Sequence, residues 1–266
     1  MNDYIFDCDT NGALEGQDDG RWTVRVSDLW NIEGVPNGGF LMALCLAAAG
    51  QQVSHPDPLS MNSHFLGRTM PGEATIRSRA IKRGRSLSVT AVDLIQNGRV
   101  SVTSLITWGE LSGFAGPTGP LLSPPELPEE SEMQSSLQMG LESTFTSRFD
   151  YLMPRDIARG AFGQPTGNAL ARGRMRFTDG RPADLLSMPL IADGFPPAIF
   201  QLGYYGWAPT LELTIHFRSR PARGWLTLDL TARHLLNGTF EEDCYIWDSK
   251  GDLVAMSRQL GRTLAG

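Results

Sequence analysis

The chain runs through the same succession of strand and turn signals twice. In Asn62–Trp108, a His-Phe pair (His64, Phe65) is followed by a Pro-Gly turn (Pro71, Gly72). Two apolar strands, an Asn-Gly hairpin (Asn97, Gly98) and a closing strand complete the segment. In Thr210–Arg262 the order recurs, with His216-Phe217, a Pro221 to Gly224 turn, an apolar strand and Asn237-Gly238. A further strand, the turn Asp248–Asp252 and a last strand follow. Self-similarity on this scale means two copies of one supersecondary unit. Asn-Gly between apolar runs selects a tight type I′ hairpin, so each unit is an antiparallel meander.

Each meander is preceded by an apolar stretch. Phe40–Gln52 is nearly all small and apolar and follows Pro36-Asn37-Gly38-Gly39. A surface helix would show a polar face, so this one is expected to be buried on most sides. In the second copy Pro182–Asp193 is the matching helix, which Pro189 would kink or shorten. Arg21–Val26 alternates apolar and polar residues as a strand does. Strands are expected at 60–66, 73–82, 85–96 and 99–108 in the first copy. In the second they fall at 145–153, 171–177, 210–218, 225–234, 238–247 and 253–261. Leu111–Glu142 is rich in Pro and Gly and reads as a linker, and Arg155–Asn168 as an insertion. The domains are therefore drawn at 1–112, a linker at 113–142, and 143–266. The fold class is α+β, with a bent antiparallel sheet wrapped around one apolar helix in each copy, the simplest way to bury such a helix.

Composition narrows the function. The 266 residues are 41% hydrophobic and carry a net charge of −6. That balance argues against nucleic acid as a partner, since such proteins are usually basic. No apolar run nears the roughly 20 residues that span a bilayer. The acidic start (Asp3, Asp7, Asp9) lacks the form of a signal peptide. The expectation is a soluble, cytoplasmic protein with no membrane partner. Cys8, Cys45 and Cys244 are scattered, and His55, His64, His216 and His234 show no ligand spacing, so no metal is expected. His64 and His216 occupy equivalent places in the two copies and read as structural.

Several short motifs, in order, carry a resemblance. In the first half they are Pro36-Asn37-Gly38-Gly39-Phe40, Asp57-Pro58-Leu59-Ser60 leading to His64-Phe65-Leu66, Arg83-Gly84-Arg85-Ser86-Leu87-Ser88, and Gln96-Asn97-Gly98. In the second half they are Ala208–Leu213 before His216-Phe217, Trp247-Asp248 to Gly251, and Val254–Gln259. Together they resemble the acyl-CoA thioesterase II family and its thioesterase-like relatives. The resemblance implies a double hot-dog fold, two copies of a bent sheet around a helix in one chain. It also implies hydrolysis of acyl-CoA thioesters without a cofactor. The family's catalytic Asp, Thr and Gln fall on Asp193, Thr210 and Gln259. The chain departs from the pattern at Leu211-Glu212-Leu213, which lacks the family's His, and at Phe40, where better-known members carry Gln.

Those residue types suit the chemistry. Thioester hydrolysis needs a positioned water, a proton acceptor and donors for the developing oxyanion. Asp193 would accept the proton, and Thr210 and Gln259 would hold the water. No G-x-S-x-G elbow is present, which favours direct water attack over an acyl-enzyme. Gly38-Gly39 at a helix start is the candidate backbone oxyanion donor. Arg83 and Arg85, beside Lys82 on a hairpin, are candidates for the CoA phosphates. Trp207, Tyr204 and Tyr205 would wall an acyl or aromatic pocket, or else belong to the core. The alternative function is a non-catalytic acyl-CoA or lipid-binding protein on the same fold. A homo-oligomer, dimer or tetramer, is expected from joining exposed sheet edges. In the first copy the places matching Thr210 and Gln259 fall near Met61 and near Ser104 or Thr107, so one site per chain is expected.

Overall fold

A computed structural model of the chain describes residues 4–17, 19–119, 121–139 and 143–263. Positions 120 and 140–142 of the expected linker lie outside the described residues. The first half holds α1 (Ile5–Asp9), β1 (Glu15–Gln17), β2 (Arg21–Val26), β3 (Asn31–Ile32), β4 (Val35–Pro36) and α2 (Gly38–Gly50). Then come β5 (Asp57–Phe65), β6 (Gly72–Arg83), β7 (Ser88–Gln96) and β8 (Arg99–Gly109). The second holds β9 (Met133–Ser135), α3 (Ser136–Met139), β10 (Phe149–Pro154), α4 (Arg155–Ala161), β11 (Leu170–Phe177) and α5 (Met188–Ala192). It closes with β12 (Thr210–Phe217), β13 (Leu226–Leu236), β14 (Thr239–Trp247) and β15 (Leu253–Arg262).

Among the described residues thirteen strands form one sheet in the order β1-β2-β6-β7-β8-β5-β12-β15-β14-β13-β11-β10-β9. The order from β2 to β5 is mirrored from β12 to β11, so the two copies meet at β5 and β12. Pairing across that join is symmetric. His64 lies opposite Glu212, and its equivalent His216 lies opposite Ser60. Both histidines are exposed, on the face turned away from the buried Met61, Ser63, Leu213 and Ile215. The hairpins are as the Asn-Gly pairs require. Asn97, Gly98, Asn237 and Gly238 all have positive φ, between 50° and 76°. Alternation sets the inward faces, for example Val92 and Leu94 on β7 and Leu226, Leu228 and Leu230 on β13. This is the double hot-dog arrangement.

Helix α2 is buried from Gly39 to Ala49. It rests on β6, β7 and β8 and meets α5 from the other copy. Asn37 caps it, its Oδ1 accepting from the Phe40 amide at 3.0 Å. A Cβ on Gly39 would stand 2.2 Å from the Pro189 carbonyl oxygen, so only glycine allows the two helices this approach. One aromatic cluster runs through both halves. Trp30 stacks on Phe40 at 5.6 Å, and Phe6, Phe149 and Phe177 extend the contact to the second sheet.

Three segments differ from the sequence reading. The helix expected over Pro182–Asp193 is only Met188–Ala192, because Asp184 and Ser187 bond each other's amides and fix 184–187 as a turn. Pro189 sits in the first turn, where a missing N–H removes no helical bond. Met133–Ser135, placed in the linker, pairs with β10 and ends the sheet. The 155–168 stretch contains α4.

Gly39→Ala is expected to destabilise the protein by about 2 kcal/mol or more through overpacking against a backbone carbonyl. Thermal unfolding of the variant checks this, and an unchanged midpoint would show that the helices separate freely.

Candidate active site

The end of the sheet join and the N-terminus of α2 bound a cavity of about 960 Å³. Its lining includes Asn37, Gly38, Asp193, Thr210, Glu242 and Gln259. Asp193 follows α5 and turns its carboxylate onto the start of α2. Its Oδ2 accepts from Asn37 Nδ2 at 2.9 Å and from the Gly39 amide at 2.9 Å. Asn37 Nδ2 also reaches the Asp193 carbonyl at 2.8 Å. Both of these carboxylate bonds fall on Oδ2, which is thus anchored, while Oδ1 is bonded by neither donor.

The second part of the site is a chain of hydrogen bonds across three neighbouring strands. Thr210 Oγ1 donates to Gln259 Oε1 at 2.8 Å, and Gln259 Nε2 donates to Glu242 Oε1 at 2.7 Å. Glu242 Oε2 accepts from the Ala198 amide. Gln259 and Glu242 are direct partners between β15 and β14, so they share a face. Thr210 reaches that face through an irregularity. Leu213 lies opposite Gln259 and is buried, and strict alternation would turn Thr210 the other way. A bulge between Thr210 and Glu212 resets the phase.

Both carboxylates bind protons more tightly than usual. Burial pushes Asp193 up to about 6, against the pull of its amide and Asn37 donors. Burial pushes Glu242 up to about 7, and the charge of Asp193 adds to it.

Models of the acyl-CoA thioesterase N-terminal and C-terminal domains match residues 26–109 and 123–263. The chain belongs to the acyl-CoA thioesterase family. An uncharacterized Mycobacterium tuberculosis protein is 30% identical over 89% of this chain and 88% of its own. A crystal structure of a proposed thioesterase II from Thermobifida fusca has 28% identity and a TM-score of 0.88, covering 100% of this chain and 99% of that one. An acyl-CoA thioesterase II from Mycobacterium marinum shares the fold at 18% identity and a TM-score of 0.71, over 95% of this chain and 96% of that one.

The structure brings Asp193, Thr210 and Gln259, on which the resemblance places the family's catalytic groups, into one cavity. It corrects two other expectations. The Gly39 amide is engaged by Asp193, and the Gly38 amide also points to that carboxylate, so neither is a free oxyanion donor. Arg83 and Arg85 do not line the cavity. Arg83 pairs with Ser88, which pairs with Trp108, which pairs with Pro58. That places the hairpin at the start of β5, whereas the cavity lies at its other end, beside Phe65. Trp207 lines the mouth, while Tyr204 and Tyr205 are exposed outside it, the Tyr205 hydroxyl donating to the Gly160 carbonyl.

Glu242 was not found from sequence. The signal was present in Glu241-Glu242-Asp243, where alternation with buried Phe240 and Cys244 turns one acid inward. In the first copy the inward pair at that place is Thr90 and Ile106, not Ser104 or Thr107. Among the described residues, no group of three or more His, Cys, Asp or Glu is placed to hold a metal ion. No described helix is long and apolar enough to cross a membrane.

The raised pKa values fix the sign of a stability effect. Between the ordinary carboxylate values of 3.8 and 4.5 and the folded values of about 6 and 7, the folded state holds protons that the unfolded state has lost. Stability from these groups is therefore full at low pH and falls as pH rises from about 4 to 7. Glu242→Gln is expected to remove about 2 to 3 kcal/mol of the decline between pH 5 and 8. Denaturant unfolding at the two pH values reads it, and an unaltered slope would mean that Glu242 titrates normally.

Proposed function

We propose that the protein hydrolyses acyl-CoA thioesters by direct attack of water. The observation that carries this reading is the half-anchored Asp193 carboxylate, sharing one cavity with the Thr210–Gln259–Glu242 chain. With its hydroxyl hydrogen given to Gln259, Thr210 presents lone pairs that accept a hydrogen bond from water. Asp193 Oδ1 takes the other proton as the water oxygen adds to the thioester carbonyl carbon. The carbonyl π electrons move to oxygen, giving a tetrahedral oxyanion. Gln259 Nε2 keeps one hydrogen beyond its bond to Glu242, and that hydrogen is the donor for the oxyanion in place of the engaged Gly39 amide. Collapse of the oxyanion breaks the C–S bond and releases coenzyme A thiolate, which takes the proton from Asp193. The products are a free acid and the thiol.

Glu242 fixes the orientation of the Gln259 amide, so that oxygen faces Thr210 and nitrogen faces the oxyanion. The first copy offers Thr90 and Ile106 at these places, so the reading gives one site per chain. No cofactor enters the step.

Asp193→Asn is expected to lower kcat by about 10²- to 10⁴-fold, the usual worth of a positioned base. Thr210→Ala and Gln259→Ala should each cost about tenfold or more. Thiol release from acyl-CoAs of graded length measures all three. Full activity of Asp193→Asn would sink the mechanism. Tight retention of acyl-CoA with no thiol release would point instead to an acyl-CoA or lipid-binding protein. Because the base acts ionised, kcat/KM should rise with pH through the pair's apparent values near 6 and 7.

A further inference from the structure

The hydrolytic step leaves one charged side chain of the cavity unused. Arg68 lies in the turn between β5 and β6 and is the single Arg or Lys among the described lining residues. The other charged groups there are carboxylates, Glu33, Asp193 and Glu242. Arg68 is exposed and forms no ion pair or hydrogen bond with the described residues. Its neighbour Thr69 also lines the cavity, is 2% exposed, and has a buried Oγ1 with no hydrogen-bond partner.

The turn that carries both residues is held rigidly. The Leu66 and Gly67 amides donate to the Ser101 carbonyl at 2.8 and 3.3 Å. Gln96 grips Met70 from both sides, accepting from its amide at 2.9 Å and donating to its carbonyl at 2.8 Å. A second bond from Gln96 reaches the Glu73 carbonyl at 3.2 Å. A cation on a fixed turn loses little order on binding an anion.

Its distance from the reacting centre fits an extended ligand. The Phe65 ring abuts Gly38, since a Cβ there would meet Phe65 Cζ at 2.9 Å and Asp193 Oδ2 at 3.0 Å. Arg68 is three residues farther on, at most about 10 Å of chain. With the reach of its own side chain, the guanidinium can engage a group well removed from the thioester carbonyl along an extended arm.

We infer that Arg68 is the docking residue for a phosphate on the substrate's thiol carrier. This rests on the thioester reading above. The phosphate belongs either to the phosphopantetheine arm or to the nucleotide of coenzyme A. Arginine suits it because the guanidinium fork matches phosphate oxygens. The site also draws the anionic carrier to the rim, away from the three carboxylates.

The test uses one straight-chain, uncharged acyl group on three carriers: coenzyme A, phosphopantetheine and pantetheine. Arg68→Ala should raise KM for the CoA thioester about 5- to 10-fold and leave kcat within about twofold. The pantetheine thioester, which has no phosphate, should be unaffected. Arg68→Lys should recover part of the loss. A KM rise shared by CoA and phosphopantetheine assigns the arm's phosphate, and a rise with CoA alone assigns the nucleotide. Equal effects on all three carriers, or none on any, overturn the inference. Calorimetric binding of desulfo-coenzyme A to wild type and Arg68→Ala separates this from the hydrolytic reading. Weaker binding by the variant supports the site even if no thioester is cleaved. Unchanged binding in an active enzyme rejects the site and leaves hydrolysis standing.

Discussion

The contact on which the rest of the structure depends is the one between the start of α2 and the end of α5. Gly39 lies against the Pro189 carbonyl, and Asn37 and the Gly39 amide hold Asp193. This single contact does several physical jobs. It satisfies amides at the first turn of a buried helix, which have no partner within the helix. It places a carboxylate at the positive end of α2. It also fixes that carboxylate in a low-polarity setting, which raises its proton affinity to a useful range. Packing, capping and acid–base tuning share the same atoms, so a change made for one alters the others.

Much of this was legible in the sequence, and the parts that were not have identifiable causes. The repeat, the Asn-Gly hairpins and the apolar helix gave the fold, because period and turn chemistry are local. Asp193, Thr210 and Gln259 were reachable through a family resemblance, since nothing local marks them. Thr210 could not be placed by alternation, because a bulge reverses its phase and bulges leave no clear trace in sequence. Glu242 was hidden in an acidic run whose neighbours Glu241 and Asp243 face away and pair with His234, Arg233 and Arg258. Arg83 and Arg85 were misassigned because a basic hairpin says nothing about which end of the sheet it occupies. The five-residue length of α5 followed from a side-chain turn at Asp184 and Ser187 that overrode the apolar pattern.

The site draws on both copies unequally. The first supplies donors and a wall, through Asn37, Gly39 and Phe65. The second supplies the ionisable groups and the strand-borne amide. Strands of the second copy carry Glu242 and Gln259 where the first has Thr90 and Ile106. The polar chain thus replaces what is ordinary core in the other half. Each of its members must then be satisfied, and the Ala198 amide and the Thr210 hydroxyl complete that accounting.

The symmetric pairing of β5 with β12 has a bearing on how such a site can change. In a dimer of identical subunits, every substitution enters twice, once beside the chemistry and once in the matching place. Any gain at one position is tied to whatever the same residue does at the other. Here the two partners are segments of one chain, always present in equal number and encoded separately. Ile106 can stay a core side chain while Gln259 joins the polar chain of the cavity, and neither constrains the other. Covalent linkage therefore frees one half to specialise while the other keeps the architecture intact.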